Sequence, residues 1–378
     1  MNVLEQAQEL LRNNLVVDSL AGGPGVVTDD MLEQIDSEAS TFQVPDLFRE
    51  IERIQTYAFI SGQFDAYWSA IDRAGVDVLS ISIGAWGDAP FSFRGAVYDF
   101  GEWHRRLRAA PRLHLITDPA DLPKTKHSKR TGLLLGFQAC DQLEGDLRNL
   151  ETFQGLGLRM IQLTYNGAGP AGYGCTAAQD FGLTRFGREL IRAANALGII
   201  LDTSHCGPLT TLETIKYSKA PVAVSHAACA AVHNHARNKS DDILKALADT
   251  GGYLGICAVP AFLAPLSARP SLSHMVDHVR HALDVCGPET VGIGTDWGVE
   301  HSPVVVRRAL QEESRRRGFR PTDDFDFADR TEGFETWSRG WPSLTAELIR
   351  SGVPLPVLTG ILGRNFAAFY HRVADSAA

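Results

Sequence analysis

The chain has 378 residues, of which 44% are apolar and 21% are charged, and its net charge is −9 at pH 7. This composition is typical of a folded globular protein, and the length suits one large α/β domain or two average ones. The acidic balance argues against nucleic acid or an anionic membrane as a partner. No apolar run reaches membrane-spanning length, and the acidic, amphipathic N-terminus does not resemble a secretion signal. Six cysteines without CxxC spacing favour a reduced, cytoplasmic protein.

Short apolar segments rich in β-branched residues recur along the chain, with helical segments between them. Such runs, bounded by Gly or Pro, are typical of strands that are buried on both faces of a parallel sheet. The predicted strands are eight, at 15–18, 76–83, 132–138, 159–165, 199–205, 222–226, 252–259 and 291–296. Eight strands with helical crossovers predict a (β/α)₈ TIM-type barrel.

The remaining segments complete a single barrel domain over residues 1–378. Helices are predicted between the strands at 186–197, 209–218 and 239–250, and two more, at 343–350 and 356–372, end the chain. The segment at about 297–335 is predicted as an insertion after the eighth strand. We find no linker, internal repeat or low-complexity tract that would divide the chain.

Two of the predicted strands end in a Ser-His pair. The strand at 199–205 closes at His205, and the strand at 222–226 closes at His226. In a parallel barrel, active sites lie at the carboxyl ends of the strands. Two imidazoles on adjacent strand ends can share a metal ion. The alternative interpretation is a pair of ordinary loop histidines.

Further polar residues follow other strands. Asp296 ends the eighth strand, where a carboxylate beside a metal can take a proton from water and deliver it to a leaving amine. A structural hydrogen bond at the turn is the alternative for this residue. Arg237 and Asn238 follow the sixth strand, and a guanidinium there can bind a substrate carboxylate with two hydrogen bonds. Tyr165 and Asn166 end the fourth strand and are predicted, with Arg237 and Asn238, to contact the substrate.

A second group of histidines has a different interpretation. His274, His278 and His281 have helical spacing, but the segment lacks the Glu of the helical zinc-protease signature. We interpret them as solvated residues of an outer helix. His233 and His235 are predicted to be surface or packing residues.

The motifs resemble those of the membrane (renal) dipeptidase family, which are zinc peptidases on a (β/α)₈ barrel of the amidohydrolase-like group. The resemblance covers most of the chain and is densest at 163–166, 182–187, 201–205, 221–226, 237–238 and 292–296, and the segment 360–365 resembles the family's closing Gly-Asn element. It implies that His205 and His226 bind the second zinc and that Arg237 holds the substrate carboxylate. It also implies that Asp296 transfers protons and that Tyr165 replaces the substrate-binding histidine of some members.

The chain departs from this family at the first metal site. The family's first strand ends in Asp-Gly-His-Asn-Asp, and the aligned segment here places Leu20 and Gly22 at its two ligand positions. The family's bridging glutamate aligns with Gln138. An apolar side chain, a missing side chain and a neutral amide cannot replace a histidine and two carboxylates. We therefore predict that the first zinc site is absent.

These observations predict a dipeptidase-like metallohydrolase that cleaves the amide bond of a dipeptide or a small N-acyl amino acid. One zinc per chain is expected rather than two, with His205, His226 and Asp296 as ligands and Gln138 or water completing the shell. The expected partner is a small molecule with a carboxylate, and the resemblance suggests a homodimer. The alternatives are a metal-free lyase or isomerase, with Asp296 and a histidine as acid and base, and a catalytically inactive small-molecule binder.

Overall fold

The computed structural model of the chain describes residues 2–21, 31, 33, 44–62, 64–85, 91–128, 130–298 and 330–377. Gly22 and most of the predicted insertion after the eighth strand lie outside these ranges. Within them, no helix is both long enough and apolar enough to cross a membrane.

Parallel strands form the centre of the molecule. Those in the described ranges are β1 (Val17–Ala21), β2 (Val78–Ser82), β3 (Leu113–Leu115), β4 (Thr131–Phe137), β5 (Leu158–Gln162), β6 (Ile200–Asp202), β7 (Ala223–Ala227), β8 (Tyr253–Ile256) and β9 (Val291–Ile293). Eight of them pair in the order β1-β2-β4-β5-β6-β7-β8-β9, and β3 pairs with the start of β4. The main-chain nitrogen of Asp296 donates to the carbonyl of Leu20 at 2.9 Å, which brings the two ends of the sheet together. The sheet is therefore a nearly closed eight-stranded barrel, as predicted.

Helices alternate with the strands and surround the barrel. The described helices are α1 (Val3–Asn13), α2 (Val44–Ser61), α3 (Asp65–Ala74), α4 (Phe93–Ala109), α5 (Asp121–Ser128), α6 (Arg148–Leu156), α7 (Arg185–Ala196), α8 (Pro208–Tyr217), α9 (Asp241–Asp249), α10 (Pro260–Leu263), α11 (Leu272–Cys286), α12 (Trp337–Arg350), α13 (Leu355–Thr359) and α14 (Asn365–Asp375). A π-helical turn, Gly360–Arg364, joins the last two. The alternation confirms the (β/α)₈ architecture.

Three of the predicted helices differ from the structure by two residues or more. Helix α9 begins after Ser240, because the main chain of Lys239 is still paired with Ala228 of the preceding loop. Helix α12 begins at Trp337, six residues before the predicted start at 343, and continues through Pro342. The single helix predicted at 356–372 is interrupted by the π-helical turn.

Side chains inside the barrel change character from one end to the other. The apolar cluster in the interior includes Leu20, Met160, Ile200 and Ala223. Residues two positions further along a strand face the same side. The next interior positions after Met160, Ile200 and Ala223 are therefore Gln162, Asp202 and Ser225, all fully buried. The interior is thus apolar at the amino ends of these strands and polar toward their carboxyl ends, where the candidate site lies.

The prediction that His274, His278 and His281 are all solvated is wrong for His278. This residue of α11 is fully buried, and its Nδ1 accepts from the main-chain nitrogen of Cys229 at 3.0 Å. Its Nε2 donates to the carbonyl of Leu263 at 2.9 Å. Burial lowers the pKa of His278 to about 4, so the ring is neutral, and it ties α11 to the loop after β7 and to α10. The helical spacing alone could not show which of the three rings faces inward.

Candidate active site

The ends of β6 and β7 bring the two predicted histidines together. His205 follows β6 by three residues, and His226 lies within β7. Both side chains are buried, and their Nε2 atoms are 3.1 Å apart. Adjacent parallel strands therefore place the two imidazoles as the sequence argument predicted, although their role in binding a metal stays a prediction.

Hydrogen bonds behind each ring define which nitrogen carries the hydrogen. The Nδ1 atom of His205 lies 2.7 Å from Oδ1 of Asn166, and an amide oxygen can only accept. Nδ1 of His226 lies 2.8 Å from Oγ of Ser225, whose own hydrogen is donated to Asp202. Both Nδ1 atoms therefore donate, and both Nε2 atoms present lone pairs to the site. Metal-ligating histidines typically have this arrangement.

The electrostatic environment keeps both rings neutral. Burial is the main cause that lowers the pKa of His205 and His226 well below the usual range, and the charge of Arg237 lowers both further. Lys239 acts in the same direction on each ring. A neutral imidazole is the form that binds a metal ion, so both rings are in the protonation state suited to ligation near neutral pH.

Arg237 holds the two strand ends in place. Its side chain is fully buried, Nη1 donates to the carbonyl of Ser204, and Nη2 donates to the carbonyl of His226 at 3.2 Å. Nη2 also donates to Nε2 of His205 at 3.4 Å, and the guanidinium lies over the ring of Phe262. Among the described residues Nε has no hydrogen-bond partner. Its predicted contact with a substrate carboxylate is not tested by these contacts.

Two residues of the site were missed in the sequence. Asp202 is fully buried and accepts hydrogen bonds from the main-chain nitrogens of Ser204 and Ser225, both at 3.0 Å, and from both hydroxyls. Lys239 donates to two main-chain carbonyls in the loop after β6, at 2.7 and 2.8 Å, and burial lowers its pKa to about 8. An Asp inside an apolar strand was the available signal for the first. Lys239 was hidden because it was assigned to the following helix.

Asp296 lies three residues beyond the end of β9 and has a strained backbone. Its φ of 60° is in the left-handed region, which costs about 1–3 kcal/mol for a non-glycine residue and is often found at functional sites. Burial raises the pKa of Asp296 to about 7, with Arg237 lowering it and Asp202 raising it. The side chain keeps some solvent exposure. A carboxylate that gains and loses a proton near neutral pH suits acid–base chemistry.

The other predicted contact residues surround the imidazoles. The ring of Tyr165 stacks on His205 with centroids 4.1 Å apart. Asn166 lies behind the same imidazole, as its hydrogen bond shows. The amide nitrogen of Asn238 donates to the carbonyls of His233 and Phe262, both at 2.8 Å. The two asparagines thus support the site through their hydrogen bonds, and their contact with a substrate stays a prediction.

The part of the chain that the structure describes contains no complete cluster of metal-ligating side chains. No group of three or more His, Cys, Asp or Glu side chains is placed there to hold a metal ion. Ligation by Asp296 therefore stays a prediction. Gln138 follows β4 directly and is buried, and its role as a further ligand is likewise untested. Leu20 belongs to the apolar cluster in the barrel interior.

Comparisons with known proteins agree with this fold. Residues 4–311 match the family described as membrane dipeptidase (peptidase family M19). Dipeptidase verJ of Clonostachys rogersoniana is 29% identical over 380 residues, which cover 99% of this chain and 87% of that protein. Dipeptidase 3 of Rattus norvegicus is 30% identical over 229 residues, 57% of this chain and 46% of that protein.

Solved structures show the same architecture. An amidohydrolase from Pseudomonas aeruginosa has a TM-score of 0.77 at 24% identity, over 98% of this chain and 99% of that one. A metallo peptidase from Rhodobacter sphaeroides has a TM-score of 0.71 at 18% identity, over 96% and 100% of the two chains. At these identities the structural matches establish the fold, and the family match extends over most of the sequence. The chain therefore belongs to the membrane dipeptidase family, peptidase family M19, and is a hydrolase of that metallopeptidase family.

Proposed function

We propose that the protein cleaves the amide bond of a dipeptide or a small N-acyl amino acid and uses one metal ion, most simply zinc. The supporting observation is the pair of buried, neutral imidazoles. Their Nε2 atoms lie 3.1 Å apart and both present a lone pair to the site. Two nitrogen ligands on one side suit a single tetrahedral zinc, whose four-coordinate shell a third ligand and a water would complete. Leu20 and Gln138 carry no charge that would offset a second dication.

Each residue of the site has a role in this proposal. His205 and His226 hold the ion, which supplies Lewis-acid activation of the scissile carbonyl when it is bound. Asp296 accepts a proton from the attacking water and returns it to the leaving amine, because its pKa of about 7 permits both directions. Arg237 binds the substrate carboxylate through Nε, which lacks a partner among the described residues.

The substrate class follows from charge and from relatives. The buried guanidinium of Arg237 lies beside two neutral imidazoles, and its charge favours a substrate group that is anionic. The Rhodobacter sphaeroides metallo peptidase is liganded with a phosphinate mimic of the dipeptide L-Ala-D-Ala. Small dipeptides with a free carboxylate are therefore the first substrates to assay.

A second candidate function is metal-free acid–base catalysis, as in a lyase or isomerase. The observation that favours it is the hydrogen bond from Arg237 Nη2 to Nε2 of His205, because this contact can satisfy one lone pair without a metal. Asp296 and His226 would then be the acid and the base.

Turnover with and without metal distinguishes the two candidates. The protein is treated with a chelator, dialysed and assayed on alanyl dipeptides and N-acetyl amino acids, before and after addition of zinc. We expect hydrolysis to disappear with the chelator and to return with zinc. Hydrolysis that persists after complete chelation would contradict the metal-dependent proposal.

Two broader expectations also belong to this proposal. We expect the protein to be cytoplasmic, in line with its six free cysteines. We also expect it to form a homodimer. Cell fractionation tests the first expectation, and light scattering of the purified protein tests the second. A monomer at micromolar concentration would remove the dimer from the proposal.

A further inference from the structure

The two Ser-His pairs are connected through a single buried carboxylate. Ser204 donates its hydroxyl hydrogen to Oδ1 of Asp202 at 2.6 Å, and Ser225 donates its own to Oδ2. Asp202 also accepts from the main-chain nitrogens of both serines, at 3.0 Å each. All three side chains are fully buried. One aspartate therefore sets the orientation of both hydroxyl groups.

The two hydroxyls then accept hydrogen bonds from the same histidine. Because each hydroxyl hydrogen is committed to Asp202, each oxygen is left as an acceptor. Oγ of Ser204 accepts from the main-chain nitrogen of His226 at 3.1 Å, and Oγ of Ser225 accepts from its Nδ1 at 2.8 Å. Only the second of these contacts determines which ring nitrogen is protonated.

We propose that Asp202 is a positioning residue that fixes the tautomer of His226 through the hydroxyl of Ser225. The relay keeps the hydrogen on Nδ1 and leaves the Nε2 lone pair directed at the site. That this lone pair serves a metal rests on the proposed function, whereas the tautomer itself does not. In the Ser-His pair of β7, the serine therefore serves to hold the hydrogen on Nδ1 of the histidine.

Loss of the relay has a specific consequence at the site. Without the oxygen of Ser225, Nδ1 of His226 loses its acceptor. A hydrogen on Nε2 instead can be donated to Nε2 of His205, which lies 3.1 Å away and keeps its lone pair through Asn166. Nε2 of His226 would then have no lone pair, the lone pair of His205 would be occupied by the new bond, and the site would be closed to a cation.

Ser225→Ala and Ser204→Ala form a matched pair for this test. Both serines are fully buried and both donate to Asp202, so the two variants lose a similar contact with the carboxylate. They differ in whether the Nδ1 acceptor is removed. Asp202→Asn is a third variant that releases both hydroxyls from their fixed orientation.

The first readout is the protonation of the His226 ring nitrogens in metal-free protein. Protein labelled with ¹⁵N-histidine is studied by long-range ¹H–¹⁵N correlation at about pH 7.5, where an unperturbed imidazole is mainly neutral. Signals are assigned with His226→Gln. We expect a protonated Nδ1 in the wild type and in Ser204→Ala. We expect a protonated Nε2 in Ser225→Ala and in Asp202→Asn.

The second readout is zinc affinity, measured by competition with a chromophoric chelator. Ser225→Ala and Asp202→Asn should weaken binding by about 10- to 100-fold, the range typical of lost outer-shell partners, and Ser204→Ala should weaken it less. A protonated Nε2 in the metal-free wild type would overturn the inference, and so would an unchanged tautomer in Ser225→Ala. If that variant does not fold by circular dichroism, the wild type and Asp202→Asn still decide. Correct tautomers without any hydrolysis would count against the proposed function alone.

Discussion

The mouth of the barrel has two halves, and each is built on one buried aspartate. At the ends of β6 and β7, Asp202 orients two serines that hold His226. At the ends of β1 and β9, Asp18 accepts from the main-chain nitrogen and hydroxyl of Thr295, at 2.8 and 2.6 Å, and from Nε1 of Trp337 at 2.9 Å. Similar carboxylates therefore serve different purposes.

The difference lies in where the hydrogen-bond network leads. In the first half the network continues to Nδ1 of His226, and this ring presents its Nε2 to the site. In the second half it ends at Thr295 and Trp337 and connects β1, β9 and α12, while Leu20 joins the apolar cluster of the barrel. Asp18 thus has a structural role, and the half around His205 and His226 is the candidate catalytic half.

The largest effect is expected on hydrolysis, when residues of the candidate catalytic half are replaced. His205→Ala removes a predicted ligand, and Asp296→Asn removes the predicted proton carrier. We expect either change to lower kcat/KM for dipeptide hydrolysis by about 10²- to 10⁴-fold, the range usual for general acid–base groups. Steady-state assays on the zinc-loaded enzyme measure this loss.

Matched controls for these variants lie on exposed helix surfaces. His371→Ala on α14 and Asp277→Asn on α11 remove the same side-chain types far from the strand ends. Both should keep the activity of the wild type. Full activity in His205→Ala or Asp296→Asn, with an intact circular dichroism spectrum, would contradict the assignment of the site.

The next largest effect is expected on the pH dependence of stability, through the structural carboxylate of Asp18. Burial raises the pKa of Asp18 from 3.8 to about 7, so between about pH 4 and 7 the folded state binds more protons than the unfolded state. The contribution of Asp18 to stability is therefore lost as pH rises through this window. A pKa increase of this size corresponds to about 4 kcal/mol of unfolding free energy.

Asp18→Asn isolates that contribution. Asp296 titrates in the same range, so the useful quantity is the difference between the wild type and this variant. Urea unfolding at several pH values should show that the wild type loses more stability than the variant between pH 4 and 7. Parallel curves would show that Asp18 does not carry the raised pKa.

A smaller effect is expected where one cation supports the catalytic half. Arg237→Lys keeps the charge but cannot reach the carbonyls of both Ser204 and His226 with a planar fork. A buried acceptor that loses its donor costs about 1–3 kcal/mol, so we expect a loss of stability in that range. Urea unfolding measures it, and Arg339→Lys on exposed α12 surface should change little.

The smallest effect is expected at Tyr165, next to the imidazole of His205. Tyr165→Phe keeps the ring that stacks on His205, whereas Tyr165→Leu removes it. Stacked pairs contribute about 0.5–1.5 kcal/mol, so Tyr165→Leu should be less stable than Tyr165→Phe by about that amount. A higher KM in Tyr165→Phe with unchanged kcat would assign the hydroxyl to substrate binding.

The barrel could be predicted from the sequence because buried parallel strands are continuous apolar runs. The strand β3 was missed because Leu113–Leu115 is too short to give a periodic signal. Several predicted strands were also too long at the carboxyl end: β6 stops at Asp202, although the apolar and Ser-His pattern continued to His205. The chain leaves the sheet there so that its polar groups can turn into the site.

The histidine pair was predictable because the Ser-His ending recurs, and the hydrogen-bond network behind it was not. Asp202 joins residues 2 and 23 positions away, and such a pairing exists only once β6 and β7 are adjacent. Lys239 reaches carbonyls more than 30 residues away for the same reason. Sequence periodicity shows which face is buried but does not show which polar groups meet inside.

The number of zinc ions per chain decides whether the protein has one metal site. Protein expressed with added zinc is dialysed and analysed for elements, beside a variant that combines His205→Ala and His226→Ala. We expect about one zinc per wild-type chain and a loss of that zinc in the variant. Two zincs per chain would contradict the loss of the first site, and a wild type without bound metal would contradict the metal-dependent mechanism.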